Sequence, residues 1–145
     1  MNRLCLGCFE KHDEKYSVCP HCGYVDGRDF SESTLLEPGT ILAERYIVGA
    51  SLGFGGFGVT YIGWDALLEQ KVAIKEYLPN EFSTRMPGQT EISVYTGDKG
   101  EQFASGLIKF LNESRRLAKF NSIDCLVRIY GALSVQYPFS FSIQQ

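Results

Sequence analysis

Four of the five cysteines in this 145-residue chain fall in two C-x-x-C pairs, Cys5-Leu6-Gly7-Cys8 and Cys19-Pro20-His21-Cys22. A C-x-x-C turn presents two sulfurs from one tight knuckle, and two knuckles complete the tetrahedral four-sulfur shell that zinc accepts. The connection between them carries Glu10-Lys11-His12-Asp13-Glu14-Lys15, too hydrophilic to fold by burying apolar surface, so metal binding is the expected source of its stability. Two disulfides or a redox-active pair are the alternatives that this spacing leaves open. His12 and His21 could substitute as ligands, but four cysteines already fill a structural site, and both histidines are expected to face solvent.

A second group of residues suits phosphate chemistry. Gly53, Gly55 and Gly58 satisfy G-x-G-x-x-G, a pattern that lets backbone amides approach phosphate oxygens because no Cβ intervenes. In a dinucleotide-binding crossover the third glycine opens a helix. Here Val59, Thr60, Tyr61, Ile62, Gly63 and Trp64 follow, and β-branched and aromatic residues predict a strand. The loop is therefore the expected turn of a hairpin. A further strand, residues 70–77, contains Val72-Ala73-Ile74-Lys75. Alternation sends Ala73 and Lys75 to one face and Val72 and Ile74 to the other.

These two pieces, in this order, resemble the glycine-rich loop and lysine strand of protein kinases. Residues from about 38 to 131, roughly two thirds of the chain, resemble the N-terminal lobe of a bacterial serine/threonine protein kinase. Arg45-Tyr46 and the helical run Phe110-Leu111-Asn112-Glu113-Ser114-Arg115-Arg116-Leu117-Ala118 also carry the likeness. The resemblance implies that Gly53, Phe54, Gly55, Gly56, Phe57 and Gly58 cradle the phosphates of ATP, with Phe57 capping them. It implies that Ala73 lies beneath the adenine and that Lys75 holds the α- and β-phosphates. It implies that Thr60 lies against the adenine, where many kinases place valine; threonine departs from that pattern but keeps the β-branched shape. Glu113 is expected to form the ion pair with Lys75 that supports catalysis in the family. The plainer roles are a solvated strand lysine at Lys75, a small core residue at Ala73, a hydrophobic turn residue at Phe57, and a surface partner of Arg116 or Lys109 at Glu113.

The elements that must position these groups follow from pattern. The expected fold is α+β: a small zinc ribbon (1–27), a linker (28–38) rich in turn formers and charges, and a kinase N-lobe-like domain (39–145). That domain is expected to hold an antiparallel sheet of about five strands and one main helix, with the C-terminal lobe absent. A first strand is expected within 40–51, then 59–64, 70–77 and 126–131, with an edge strand among the last residues. Residues 79–100 read as an insertion containing a short strand or hairpin. Residues 101–120 show helical periodicity, with Phe103, Leu107, Phe110, Leu111, Ser114, Leu117 and Ala118 on one face. Cys125 reads as a buried small hydrophobe.

Composition bounds the partners. With 44% hydrophobic and 21% charged residues the chain is expected to be globular rather than disordered. A net charge of −3 argues against nucleic acid as a partner. No apolar run reaches the roughly 18 residues of a membrane span and no secretory signal is visible, so a cytoplasmic location is expected.

The chain holds no His-Arg-Asp and no Asp-Phe-Gly, and its last aspartate is Asp124. Phosphoryl transfer in a kinase requires an aspartate to orient the hydroxyl and an asparagine and aspartate to hold magnesium. The expectation is thus the N-terminal fragment of a kinase, inactive alone and weak in ATP binding, with ATP and Mg serving only a complete enzyme. The exposed lobe interface is expected to promote self-association. The alternative is a non-catalytic zinc-ribbon module, pseudokinase-like, that docks to another protein.

Overall fold

The polar connection between the two cysteine pairs folds back on itself, placing β1 (Asn2–Leu4) antiparallel to β2 (Lys11–Asp13). This comes from a computed structural model that describes residues 1–27, 34–55, 58–79, 83–86, 92–120, 125–129, 132–137 and 140–144. One cysteine knuckle follows β1 and the other follows β2, and a Val18–Val25 bridge closes the second. Contrary to expectation His12 is buried, its Nδ1 near the Asp13 carbonyl oxygen, because it lies on the inner side of the small β1–β2 pair. His21 is exposed as expected.

Residues 34–38, read from sequence as the end of a linker, pack into the following domain. Leu36 is buried, and its backbone N–H donates to the Tyr61 hydroxyl at 3.0 Å. The strand expected within 40–51 is divided into β3 (Ile41–Leu42) and β4 (Tyr46–Gly55) by Ala43 and Glu44, whose positive φ angles of 52° and 55° reverse the chain. Then come β5 (Gly58–Asp65) and β6 (Gln70–Tyr77). Burial alternates residue by residue along all of β5, the mark of a strand packed more tightly on one face than on the other. The 79–100 insertion contains the hairpin that its alternation suggested, β7 (Ser83–Thr84) with β8 (Ser93–Val94).

The helix α1 (Asp98–Phe120) begins with Asp98 and Glu101 in its first turn, where negative charge suits the helix dipole. After it come β9 (Cys125–Ile129), β10 (Ala132–Tyr137) and β11 (Ser140–Gln144). Among the described residues these strands form one seven-stranded sheet, in the order β11-β10-β9-β6-β5-β4-β3. The expectation was an antiparallel sheet of about five strands. β11 is the edge strand expected among the last residues, the extra strands are the short β3 and β10, and one neighbouring pair, β6 with β9, is parallel. The reason is topological: the chain leaves β6, passes through α1 and returns in the same direction, and a parallel pair needs such a helical crossover.

The sheet has two distinct faces. On one, Val48, Val59, Tyr61, Val72, Ile74 and Leu126 form the main core with Leu36, Leu42 and Tyr46. On the other, Tyr77 packs against Phe103 and Phe110 of α1, with ring centroids 4.7 and 5.2 Å away. The Tyr77 hydroxyl also donates to the Phe103 carbonyl oxygen. The apolar stripe foreseen on the helix is the face used at Phe103, Phe110 and Ser114, which are buried, and at the half-buried Leu107 and Leu111. Leu117, Ala118 and Cys125 have side chains outside the described set.

Candidate functional site

The four knuckle cysteines converge. Their sulfurs all lie within 4.8 Å of one another, and no disulfide joins them. The Cys5–Cys22 and Cys8–Cys19 separations are 3.6 and 3.9 Å. A tetrahedral ion with metal–sulfur bonds of about 2.3 Å has sulfur–sulfur edges of about 3.8 Å, so the cluster has the dimensions of a zinc shell. A disulfide would need about 2.05 Å. Backbone amides of Gly7 and His21 donate to the Cys5 and Cys19 sulfurs at 3.2 and 3.4 Å, the pattern by which a knuckle stabilises thiolates.

Burial pushes the Cys5 thiol up to about 12. Cys19 is pulled down to about 6, against the cost of burial, by the backbone amides of His21 and Cys22. Four sulfurs this close repel one another as thiolates, and a divalent cation would stabilise them together in that form. The residues present fit zinc.

The second group assembles as a row across the sheet. Thr60 pairs with Gly53 on one side and with Lys75 on the other. Laterally paired residues share a face, so Gly53, Thr60 and Lys75 lie side by side on the face that carries Tyr77 and α1. Ala73, two residues before Lys75, pairs with Ile62 on the same face. Thr60, Ile62, Ala73 and Lys75 are all only half-buried. A Cβ built at Gly53 meets nothing within 4 Å. That position is therefore open to an incoming group, and nothing in the sheet itself requires glycine there. Phe54 and Gly55 belong to β4 by their backbone, while Gly56 and Phe57 lie outside the described residues.

This face is closed at both ends. At one end stands α1 against Tyr77. At the other the four-cysteine ribbon packs on the sheet: Phe9 stacks on Trp64 at 5.9 Å, Lys71 pairs with Glu10 at 2.5 Å, and the Ala50 N–H donates to the Leu6 carbonyl oxygen at 2.8 Å. The Lys71 ammonium holds the Glu10 carboxyl below the usual carboxylate range. Trp64 and Lys71 are register partners on the Lys75 face. From Lys71 to Tyr77 the strand advances roughly 20 Å at about 3.3 Å per residue, and Ala73 and Lys75 form the floor between.

One expected contact is not made. Glu113 is exposed, and no ion pair joins it to Lys75. The inward positions of that helical turn are taken by Phe110 and Ser114, which turns Glu113 to solvent.

Sequence reasoning missed a charge cluster on the opposite face. The Glu76 carboxylate accepts two hydrogen bonds from Arg85 at 2.9 and 2.5 Å, one from Arg128 at 2.6 Å and one from the Tyr61 hydroxyl at 3.1 Å. Its side chain and that of Arg85 are 0% exposed. Arg85 also donates to the Thr34 carbonyl oxygen. The only signal in the sequence was an acidic residue at a position of β6 whose alternation points into the core.

No protein-family model matches the chain, and no curated protein matches it. A solved structure, that of the bacterial kinase PpkA (PpkA-294, apo form), is similar at 30% identity with a TM-score of 0.54, covering 66% of this chain and 34% of that one. The chain therefore has a kinase-like fold and spans about a third of the length of that neighbour. Among the described residues no helix is long and apolar enough to cross a membrane.

Proposed function

We propose that this chain carries the phosphate-binding lobe of a serine/threonine protein kinase, fronted by a structural zinc ribbon. In this reading phosphoryl transfer from ATP belongs to a polypeptide that also supplies the hydroxyl-orienting and magnesium-holding residues. The observation that carries it is the row Gly53–Thr60–Lys75, an exposed glycine beside two half-buried residues on one face of the sheet. A cation stands there beside a backbone position with open space above it, and the similarity to a kinase structure supports the same assignment. The backbone amides around Gly53 and Gly55 supply phosphate contacts, Lys75 supplies charge, and Ala73 leaves room for a flat ring. Reduced cysteines arranged as ligands fit a cytoplasmic setting.

Affinity for ATP should be weak, because one lobe covers only one side of the ligand and a site ordinarily encloses most of its surface. Isothermal titration calorimetry with ATP and magnesium tests the reading. Weak saturable binding is expected, together with its loss in Lys75→Ala at unchanged melting temperature. Binding that Lys75→Ala leaves intact, or no heat at millimolar ATP, overturns it and leaves a zinc-ribbon docking module as the better description.

A further inference from the structure

The outer edge of β4 changes partner at Gly49. Up to Val48 it is held by the chain just before it: the Val48 N–H donates to the Thr40 carbonyl oxygen at 2.8 Å, and the Val48 carbonyl oxygen accepts from the Gly39 N–H at 2.7 Å. Two residues on, the next outward N–H, that of Ala50, donates instead to the carbonyl oxygen of Leu6 in the first cysteine knuckle, at 2.8 Å. Gly49, between them, is buried, and a Cβ there would stand 2.4 Å from that same oxygen and 2.8 Å from Ile62 Cγ2. Only glycine lets the knuckle come this close.

The inner edge of β4 changes register at the same place. Val48 pairs with Gly63, but the next pair is Ser51 with Tyr61, so Gly49 and Ala50 together face the single residue Ile62. A second irregularity follows, with Leu52 as the extra residue between the Ser51–Tyr61 and Gly53–Thr60 pairs. A bulge disrupts the ladder locally, so its extra residue needs another partner for its backbone. Here the knuckle supplies that partner. Without the first bulge every later residue of β4 would shift by one against β5, and Thr60 would face Leu52 in place of Gly53. A leucine side chain would then fill the position that Gly53 leaves open beside Thr60 and Lys75.

We infer that Leu6, through its carbonyl oxygen, and Gly49 are positioning residues for the phosphate site: the first cysteine knuckle clamps the β4 bulge and so sets the register that brings Gly53 into one row with Thr60 and Lys75. The ligand, a nucleoside triphosphate, rests on the nucleotide-binding reading above; the register does not. Leu6 is fixed in turn by its place between Cys5 and Cys8, and the Phe9 N–H closes the knuckle by donating to the Cys5 carbonyl oxygen at 2.7 Å. Cysteines bound to zinc thereby hold the glycine loop in place from a distance. Phosphate affinity depends on the ribbon although the ribbon touches no phosphate.

The test uses the full chain loaded with zinc. ATP and inorganic triphosphate are the probes, read by calorimetry, and the cross-strand nuclear Overhauser contact between Gly53 and Thr60 reports the register. Ala50→Pro deletes the N–H that reaches Leu6, which points away from β5, so the ladder between β4 and β5 is kept. Gly49→Ala presses the knuckle away through its added Cβ. Both variants should keep one zinc per chain, lose the Gly53–Thr60 contact, and weaken ATP and triphosphate by the same factor, about tenfold or more. Stripping zinc from the wild-type chain with a chelator should do the same, which provides the measurement if a variant does not fold.

A Gly53–Thr60 contact that survives in both variants and in the zinc-free chain overturns the inference, whatever the nucleotide affinities. Weakening of ATP without triphosphate also overturns it, because a displaced glycine loop must act on the phosphates. Wild-type protein that binds neither probe removes the nucleotide reading, and loss of the contact in the variants would still establish the clamp.

Discussion

The carbonyl oxygen of Glu76 occupies the place where a β-carbon of residue 58 would be: a Cβ built at Gly58 lies 1.9 Å from it. The third glycine of the loop motif is thus demanded by the packing of β5 on β6. Gly53, with nothing within 4 Å of its would-be Cβ, is not.

Two substitutions should therefore separate fold from function. Gly58→Ala forces adjacent backbones apart, and we expect it to cost several kcal/mol, roughly 3 or more by comparison with other severe steric substitutions. Gly53→Ala should change stability by about 1 kcal/mol or less while weakening ATP. Urea denaturation read beside calorimetry checks both. Equal stability losses would show that Gly53 is also a packing glycine.

The neighbours Lys75 and Glu76 point to opposite faces and should respond oppositely. Glu76→Gln leaves two buried guanidinium groups facing a neutral amide, and removing one partner of a buried pair costs about 3–5 kcal/mol. Lys75→Ala, on the half-buried face and in no ion pair with a described residue, should stay within about 0.5 kcal/mol of wild type. Chemical denaturation of the two variants is sufficient. A mild Glu76→Gln would mean that the cluster contributes specificity of register rather than stability.

Asp65 makes part of the stability depend on pH. The Arg45 guanidinium, donating at 2.8 and 2.7 Å, and the amides of Leu67 and Leu68 hold its carboxyl below the usual carboxylate range. A lowered carboxyl contributes stability above its unfolded value, near 3.8, and that contribution is lost as pH falls through the lower folded value. Asp65→Asn should cost about 2 kcal/mol at pH 7. The gap from wild type should close below about pH 4. A gap independent of pH would assign the loss to the turn hydrogen bonds alone.

Zinc should be present at one ion per chain, since a four-sulfur cluster of this size holds one. Removing it with a chelator, or replacing Cys5 with alanine, should unfold residues 1–27 and expose Lys11 and Lys15 to trypsin, because the ribbon has little core apart from Phe9, His12 and the cysteines themselves. Elemental analysis and limited proteolysis follow this directly. A metal-free ribbon as resistant as the loaded one would contradict it.

Much of this protein is written at short range. The two C-x-x-C spacings specify a four-sulfur cluster because each knuckle is only four residues long. The alternation through Val59–Trp64 and Val72–Lys75 specifies strands and assigns Lys75 to the face opposite Ile74. The period of Phe103, Leu107 and Phe110 specifies a helix. It does not specify rotation at the margin of the stripe, which is why Glu113 was expected inward and stands outward; packing of Phe110 and Ser114 on the sheet decided that.

What tertiary structure alone determined are the encounters between distant residues. Leu36 from an apparent linker enters the core, and Arg85 from a polar insertion is buried on Glu76. The parallel pairing of β9 with β6 puts Arg128 beside that same carboxylate. Glu10 meets Lys71 across 61 residues, which brings the first cysteine knuckle onto the lysine face. Such contacts depend on register and docking, which arise only when whole elements bury their faces against one another, and no local pattern of residue types encodes them.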